Sequence, residues 1–442
     1  MVLNIVAMKN VLVMGASYGG AGAIKMLTSG LPNNYRLVVL ERNSHANHLY
    51  VLPRYAVVAG HEDKAFVPYV GLFGSDNQPS RHAVVHGTIT RLQRNSVAYM
   101  PAEYEEGNGQ SEEVLDFEYA IYALGARLPA PIDLWAASSV FDEPITPGKP
   151  FNSQSVPQPF ALRQLGTKQA GIEWLKKAQK RLESVRSVLV VGGGALGIQF
   201  ATDLKEFYPS KNVTLLHSRE RLLPRFSARM HDEINKTMSD LGVNMILGQR
   251  LDIRTTLPEN TEYNESGERV VRTVSGRVIA ADLILLCTGQ YPNTDLIRSF
   301  APDVVDPRTG LVRVSSTLQL AVSQQQDGDQ MVIREGDQDL SHIFAIGDAA
   351  DAFGAIKAGH TAWFQGEVAA KNILSLIKSK SSQLEEYKPG SPSIKVTLGM
   401  KRYVIKNGPN EEVKVGEDGH QDLSATSVWP FWGANYDKDK GY

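Results

Sequence analysis

The chain has 442 residues, of which 42% are hydrophobic and 21% charged, with a formal net charge of −2 at pH 7. This length exceeds the roughly 250–300 residues that one core usually serves, so at least two domains are expected, and the near-neutral charge argues against a nucleic-acid partner. A single cysteine, Cys287, excludes an internal disulfide or a redox-active cysteine pair and fits a reducing, cytoplasmic compartment.

The N-terminus predicts no targeting segment. Residues 1–8 are apolar but lack the basic region and small-residue cleavage site of a signal peptide. Val2 stands where N-myristoylation requires glycine, and no run of about 18 apolar residues occurs. We expect no transmembrane segment and at most peripheral membrane contact.

The first predicted unit is a strand, a glycine-rich turn and a helix. The apolar run 11–14 is followed by Gly15-Ala16-Ser17-Tyr18-Gly19-Gly20 and by a helix near 20–29. Glycine lets the backbone approach a pyrophosphate, which the helix N-terminus then stabilises. Glu41 ends the next strand, 21 residues after Gly20, where a carboxylate accepts the hydroxyls of an adenosine ribose.

Residues 84–99 and 114–123 are strand-like, and the second segment ends at Gly125. That glycine either packs closely beneath a cofactor or merely ends a strand, and both interpretations stay open. Residues 126–159 are rich in Pro and Ser and predict irregular structure, whereas 167–184 predict a polar helix.

A second strand and glycine turn begin 177 residues after the first. The run 188–191 leads into Gly192-Gly193-Gly194-Ala195-Leu196-Gly197, which has all three fingerprint glycines. Its next strand, 213–216, ends in His217-Ser218-Arg219 instead of a carboxylate, so this pocket can admit NADPH as well as NADH. The alternative, that Arg219 is a solvated surface residue, is equally supported.

The second unit then repeats the plan of the first. A helix is predicted near 228–241, strands near 243–253 and 269–274, and a return strand over 283–289. Cys287 lies inside that apolar strand, which favours a buried core residue over a catalytic thiol.

A third motif is the apolar strand 343–346 followed by Gly347-Asp348. A carboxylate at the carboxyl end of a strand can bind a ribityl hydroxyl of FAD, although an isolated Gly-Asp more often marks a turn. A helix near 358–378 follows, and its N-terminal dipole can stabilise negative charge on a reduced flavin.

The motifs GASYGG, VVLE, YALGA, VVGGGALG, VTLLHSR, LILLCTG and FAIGDAAD together resemble the apoptosis-inducing-factor-like flavoproteins. Within that family the likeness is strongest to its ferroptosis suppressor branch, and it extends more distantly to type II NADH dehydrogenases. It covers roughly residues 10–400. The resemblance implies an FAD enzyme that takes hydride from NAD(P)H and reduces a quinone.

The resemblance also implies which residues contact each cofactor. The expected FAD residues are Gly15, Ser17, Gly19, Gly20, Glu41, Arg42, Arg54, Ile89, Gly125, Gly347, Asp348 and Ala349. The expected NAD(P)H residues are Gly192, Gly194, Ala195, Gly197, His217, Arg219 and Gly289. No metal ligands are expected.

Lys357 falls where the family has a lysine close to the flavin, so it is a candidate for electrostatic support; a solvated lysine is the alternative. His360 and Trp363 follow at helical spacing and either line an acceptor pocket or pack in the core. One departure is Gln199, which replaces a glutamate that relatives often carry after the second glycine turn.

The C-terminal part has strand-like segments at 394–398 and 402–405 and an aromatic run over 427–432. That run either touches a membrane or a dimer partner, caps the acceptor site, or packs on the chain's own core. Its dispersed basic residues provide no polybasic membrane anchor.

The sequence therefore predicts an α/β protein with two Rossmann-like dinucleotide-binding domains, in the glutathione-reductase-like arrangement, and a small C-terminal α+β region. The expected domains are FAD-binding 1–160, NAD(P)H-binding 161–289, FAD-binding 290–378 and C-terminal 379–442. The expected enzyme is a monomeric or homodimeric quinone reductase. A tailoring oxidoreductase for a specific metabolite and a slow-turnover redox sensor are the alternatives.

Overall fold

The computed structural model describes residues 8–74, 81–102, 111–128, 166–322, 339–379, 383–408 and 412–442. The predicted irregular segment 126–159 lies almost wholly outside these ranges. The strands are β1 Lys9–Met14, β2 Tyr35–Glu41, β3 His45–Asn47, β4 Phe66–Pro68, β5 Ala83–Leu92, β6 Ser96–Pro101, β7 Glu113–Asp116, β8 Tyr119–Tyr122, β9 Ala126–Arg127, β10 Ser187–Val191, β11 Asn212–Leu216, β12 Asn244–Ile246, β13 Glu262–Tyr263, β14 Arg269–Arg272, β15 Val278–Ala281, β16 Leu283–Leu286, β17 Tyr291–Pro292, β18 Val312–Arg313, β19 Ile343–Ala345, β20 Ala350–Asp351, β21 Ile394–Leu398, β22 Arg402–Lys406 and β23 Val413–Glu417.

The α-helices within the described ranges include those that connect the parallel strands of the two main sheets. They are α1 Tyr18–Gly30, α2 Leu52–Tyr55, α3 Lys168–Ser184, α4 Ala195–Phe207, α5 Ala228–Leu241, α6 Asp295–Phe300, α7 Gly359–Lys378 and α8 Tyr436–Asp439. Short 3-10 turns occur as well, the longest over Ala425–Trp432.

The first sheet has the strand order β19-β8-β1-β2-β5-β6-β7. Strands β19, β8, β1, β2 and β5 are parallel, and β5, β6 and β7 form an antiparallel meander. The strand-like segment 84–99 is therefore two strands joined by a turn. Because β19 comes from a much later part of the chain, this sheet is discontinuous in sequence.

The second sheet is parallel, with the order β12-β11-β10-β16. Its strands are continuous in sequence, over residues 187–286, and lie between the two parts of the first sheet. The two sheets make an α/β fold with two Rossmann-like units, as predicted. The four domain boundaries stay a prediction.

Glycines allow the helices α1 and α7 to pack closely against each other. An added Cβ on Gly366 would lie 2.2 Å from the Gly19 carbonyl oxygen, and one on Gly22 would lie 2.6 Å from that of Trp363. Only small residues permit such backbone contact. The structure therefore gives Gly19 a role in helix packing.

The C-terminal region consists of the antiparallel sheet β21-β22-β23 and the turn Ala425–Trp432. Its sheet packs on α4 and α5, and Trp429 and Trp432 are fully buried. The aromatic run thus packs mainly on the chain's own core, although Phe431 stays 52% exposed. Among the described helices, none combines the length and apolarity that a membrane span requires.

Candidate active site

The first glycine turn lies where β1 and β8 end. Gly15 has φ +95°, and its added Cβ would come within 2.7 Å of the Ala123 carbonyl oxygen. An added Cβ on Gly20 would meet the Gly15 carbonyl oxygen at 1.9 Å. Ser17 is the N-cap of α1, and its hydroxyl makes no capping bond. The glycines thus bring the backbone of the turn close to the N-terminus of α1 with no side chain between them, which is the geometry of a phosphate-binding turn.

The carboxylate of Glu41 holds this turn from the end of β2. Its Oε2 accepts the Ala16 N–H at 2.7 Å, and its Oε1 accepts the Asn43 N–H at 2.9 Å. Glu41 is buried. Glu41, which is predicted to bind the ribose, therefore lies directly beside the turn that is predicted to bind phosphate.

The Gly347-Asp348 motif reaches the same edge, because β19 pairs with β8. Gly347 donates its N–H to Oε1 of Gln365 at 2.7 Å. Burial raises the pKa of the Asp348 carboxyl, while Lys357 opposes that rise. A small cavity lies here, too narrow to admit a water molecule and lined by Gly347, Asp348, Ala355, Ile356, Lys357, Ala358, Thr361, Ala362 and Gln365.

Lys357 forms part of the cavity wall just before α7. Its ammonium donates to the Ala350 carbonyl oxygen while part of the side chain reaches the surface. Desolvation lowers the pKa of Lys357, and Asp348 and Asp351 raise it. His360 is the second residue of α7 and is exposed. Partial desolvation lowers its pKa.

Aromatic side chains surround the first turn of α7. Tyr50, 48% exposed, accepts the Gly359 N–H through its hydroxyl at 2.6 Å. Trp363 contacts Phe431 edge to face, with ring centroids 5.2 Å apart. Phe364, on the face of His360, is also largely exposed. Tyr50, Phe364 and Phe431 thus present exposed aromatic surface around the start of α7.

The second glycine turn reproduces the first almost contact for contact. Gly192 has φ +123°, and an added Cβ would lie 2.2 Å from the Cys287 carbonyl oxygen. An added Cβ on Gly197 would lie 1.9 Å from the Gly192 carbonyl oxygen. Gly194 is the N-cap of α4 and has open space around it. This turn also fits a dinucleotide pyrophosphate.

His217 takes the place that Glu41 has in the first unit. Its Nδ1 accepts the Gly193 N–H at 3.0 Å, so the nitrogen on that side carries no proton. Burial lowers the pKa of His217, with further lowering from Arg219 and His231. Arg219 and Arg221 are both exposed beside it. The strand end is therefore uncharged at the ring and cationic around it.

Arg54, which was predicted to hold FAD, has its guanidinium bonded to protein groups. Its guanidinium is 1% exposed and donates to the Asp203 carboxylate at 2.8 and 2.9 Å. It also donates to the carbonyl oxygens of Gly399 and Gln421. With these partners around the head group, Arg54 belongs to a contact between α2, α4 and the C-terminal region.

The remaining predicted residues lie at the carboxyl edges of the two sheets or on strands beside them. Gly125 has φ +59°, and its carbonyl oxygen accepts the Asn293 N–H at 2.9 Å. Gly289 has φ +134°, with open space where a Cβ would point. Ile89 packs against the first core, and Ala195 begins α4. Arg42 is exposed at the end of β2, and Ala349 lies in the turn after β19.

Sequence reasoning missed the aromatic contacts that cover the first turn. The Trp432 indole donates to the Ala16 carbonyl oxygen at 2.8 Å, and its ring lies 5.4 Å from that of Tyr18. The Tyr18 hydroxyl contacts Nδ1 of His48 at 2.7 Å. The aromatic run at 427–432 was the available signal, but its target 416 positions away was not visible.

The chemistry of these two edges suits two dinucleotides. Each supplies a glycine turn, a helix N-terminus and a hydrogen-bonding residue at the next strand end, while the first adds Asp348 and Lys357 beside a cavity. No group of three or more His, Cys, Asp or Glu able to hold a metal ion occurs in the part of the chain that the structure describes. The burial of Cys287 raises its pKa, so the thiol is not ionised.

Comparisons with known proteins agree with this arrangement. The family model described as pyridine nucleotide-disulphide oxidoreductase matches residues 9–366. Fe-regulated protein 8 of Mycosarcoma maydis is 40% identical over 435 residues, covering 97% of this chain and 96% of that protein. Human ferroptosis suppressor protein 1 is 27% identical, over 88% of this chain and 86% of its own length.

A solved structure extends the likeness to the fold. The sulfide:quinone oxidoreductase of Aquifex aeolicus has a TM-score of 0.64 at 14% identity, covering 97% of this chain and 92% of that one. At this identity the likeness concerns the fold.

Proposed function

The chain belongs to the pyridine nucleotide-disulphide oxidoreductase family and is an NAD(P)H-dependent flavoprotein, and on that premise we propose that its electron acceptor is a quinone-like molecule. Bound FAD supplies the redox chemistry, accepting hydride from NAD(P)H and passing two electrons to the acceptor. The protein has to hold the two cofactors, tune their charge and admit the acceptor.

The observation that carries the proposal is the exposed aromatic surface around the start of α7, the helix that Lys357 precedes. Tyr50, Phe364 and Phe431 are 48%, 57% and 52% exposed there, and Trp363 contacts Phe431. Such a surface suits a planar, apolar ring such as a quinone. The names of two similar proteins, a ferroptosis suppressor and a sulfide:quinone oxidoreductase, are compatible with this acceptor class.

The cysteine content supports the same acceptor class. Family relatives that reduce disulfides pass electrons through a cysteine pair, whereas this chain has Cys287 alone, buried and with its pKa raised. Electrons must therefore leave from the cofactor to an acceptor that binds beside it.

The chain's own residues have distinct roles in this proposal. Glu41 accepts the adenosine ribose hydroxyls, and Asp348 orients the ribityl chain. Lys357 and the N-terminal dipole of α7 stabilise negative charge that develops at the cavity. His360, which is exposed in the first turn of α7, can contact the acceptor.

At the second turn we propose that both NADH and NADPH bind. The strand end carries the His217 imidazole in place of a carboxylate, so the residue that corresponds to Glu41 does not repel a 2′-phosphate. Arg219 is exposed and available to pair with that phosphate.

Anaerobic stopped-flow absorbance tests the proposal directly. The FAD-loaded protein is mixed with NADH or NADPH, and menadione or a short-chain ubiquinone is added afterwards. Rapid bleaching of the flavin followed by rapid recovery on quinone addition is the expected result. A flavin that stays reduced with quinone contradicts the acceptor and favours a specific metabolite; one that never bleaches favours a redox sensor.

A matched pair of variants localises the acceptor. Lys357→Gln is expected to slow recovery of the flavin by about tenfold, because a charge partly shielded from water is lost. Lys378→Gln removes a lysine at the far end of the same helix and should leave both phases unchanged. Equal behaviour of the two variants contradicts the role of Lys357.

A further inference from the structure

Three polar side chains lie on the face of α4 that packs against the C-terminal sheet, and two of them bond directly to β21 or to the turn that follows it. Gln199 donates to the Thr397 hydroxyl at 3.0 Å, and Glu206 accepts the Met400 N–H at 2.8 Å. Between them, Asp203 is fully buried and paired with Arg54. Their i, i+4 and i+7 spacing places all three on the same side of the helix.

The Arg54–Asp203 pair joins three parts of the chain. Arg54 comes from α2, in the segment that follows the Glu41 strand, and Asp203 comes from the helix that begins at the second glycine turn. The same guanidinium donates to the Gly399 carbonyl oxygen in the C-terminal sheet. Burial raises the pKa of Asp203, and the bidentate Arg54 guanidinium opposes that rise.

The C-terminal region continues from the Arg54–Asp203 pair, called the clamp below, to the first glycine turn. The Tyr55 hydroxyl donates to the Asp422 carbonyl oxygen at 2.8 Å, and Lys64 pairs with the Asp422 carboxylate at 2.7 Å. Ten residues later, Trp432 donates to Ala16 in the first glycine turn. One continuous region thus contacts both phosphate-binding units.

We propose that Arg54 and Asp203 are positioning residues, and that together with the C-terminal region they set the separation of the two bound dinucleotides. Asp203 is eight residues along α4 from Ala195, about 12 Å by helix rise, so a rigid helix transmits the clamp to the second turn. This inference rests on the proposed two-cofactor function but does not depend on the nature of the acceptor.

The reductive half-reaction is the step that this spacing controls. Hydride transfer requires the donor and acceptor atoms to meet at a near-attack distance, and a displacement of about 1 Å costs on the order of 100-fold in rate. A loosened clamp should therefore reduce the rate of flavin reduction at saturating NAD(P)H. Phosphate and ribose contacts, which are local to each turn, should be retained.

The test variant is Arg54→Met combined with Asp203→Leu. Removing one partner alone leaves a buried charge without compensation and is strongly destabilising, whereas replacing both with apolar groups of similar volume is often tolerated. The control is Lys395→Met combined with Asp418→Leu, which removes an exposed ion pair from the same C-terminal sheet. Thr397→Val is a milder second variant that removes only the Gln199 contact.

We expect the Arg54/Asp203 double variant to retain FAD and its Kd for NAD(P)H within about twofold. Its flavin-reduction rate constant should fall by about 10- to 100-fold, with a weaker charge-transfer absorbance between the two cofactors. Thr397→Val should lower that rate constant a few-fold. The control pair should leave the rate constant and the absorbance as they are.

Hydrogen exchange supplies a readout other than activity. In the unaltered protein, binding of NADP⁺ should protect the amides of residues 396–405, because α4 transmits the binding event to the C-terminal sheet. That protection should disappear in the double variant. An unchanged rate constant in both the double variant and Thr397→Val overturns the proposal, as does protection that survives removal of the clamp.

These outcomes are separable from failure of the proposed function. Flavin reduction is measured without any acceptor, so a wrong acceptor leaves the result intact. If the unaltered protein is not reduced by NADH or NADPH, the two-cofactor function itself fails, and the clamp has no hydride transfer to position.

Discussion

The two glycine turns share a backbone and differ in what covers them. In each, the N–H of the residue after the first glycine is held by the side chain at the next strand end: Ala16 by Glu41, and Gly193 by His217. Over the first turn, Trp432 and Tyr18 form a buried aromatic cover, whereas Gly194 in the second turn has open space. The same backbone design is thus covered in the first unit and open at Gly194 in the second.

The largest expected effect comes from filling either turn. Gly20→Ala and Gly197→Ala each place a Cβ 1.9 Å from a carbonyl oxygen in the unchanged backbone. Gly20→Ala should abolish FAD retention, and Gly197→Ala should weaken NAD(P)H binding at least about 100-fold while FAD remains bound. The measurements are flavin absorbance after gel filtration and calorimetric titration with NADPH.

Gly390→Ala is the control, since its Cβ meets nothing within 4 Å. If Gly197→Ala released FAD as well, the two turns would not be independent, and the comparison between them would break.

Replacing the strand-end carboxylate should give the next largest effect. Glu41→Gln keeps the shape but removes the charge that accepts the Ala16 and Asn43 N–H groups and is proposed to bind the ribose. A charge-assisted bond contributes about 1.5–3 kcal/mol, so the Kd for FAD should rise by about 10- to 100-fold. Fluorescence titration of the apoprotein with FAD measures it.

Glu112→Gln, which alters an exposed carboxylate paired with Arg91, is the matched control. An unchanged Kd for Glu41→Gln contradicts its assignment to the ribose.

The cover over the first turn should make the protein sensitive to acid. Burial lowers the pKa of His48, which contacts Tyr18, to about 4. Above about pH 6.5 this histidine is neutral in both folded and unfolded states; below it, the unfolded chain takes up a proton that the folded protein resists. The free energy of unfolding should therefore fall between about pH 6.5 and 4, by about 2 kcal/mol at pH 5 for this residue.

Urea denaturation at about pH 7.5 and 5 measures this loss. His48→Gln should flatten the dependence, whereas replacement of the exposed His420 should not. Equal slopes for both variants refute the contribution of His48. His45, buried with its pKa also lowered to about 4, contributes in the same direction.

The smallest expected effect concerns the choice of nicotinamide at the open turn. Arg219→Ala should raise the KM for NADPH by about tenfold and leave that for NADH unchanged, because only NADPH carries the 2′-phosphate. Steady-state kinetics with both nucleotides measures the difference. Arg254→Ala, which removes an exposed arginine paired with Asp252, is the control. A parallel rise for both nucleotides assigns Arg219 to general electrostatics.

Local sequence signals predicted the parts of the fold that depend on local chemistry. The α5 bounds, 228–241, match the prediction, and the strand, turn and helix of both units lie where glycine spacing and apolar runs placed them. Cys287 is buried, as an apolar strand predicted. The site predictions based on backbone need, such as Gly15 and Gly192, agree with the φ values.

Side-chain partners far along the chain could not be predicted. Arg54 was expected at FAD, but its partner Asp203 is 149 positions away and Gly399 is 345 positions away. The sequence around an arginine near a predicted cofactor site does not indicate which distant carboxylate it pairs with. The burial of Trp429 and Trp432 was equally invisible, because an aromatic run has the same composition in a core as at an interface.

The contact between Trp432 and Ala16 also has a consequence for biosynthesis. A residue within the first twenty of the chain acquires its cover from a residue 416 positions later. During translation, the first glycine turn is therefore made without its cover and stays uncovered until Trp432 has been added. Such non-local closure slows folding and leaves apolar surface exposed meanwhile. The interval is also when FAD can enter without displacing the cover, so flavin supply during synthesis should govern the yield of native protein.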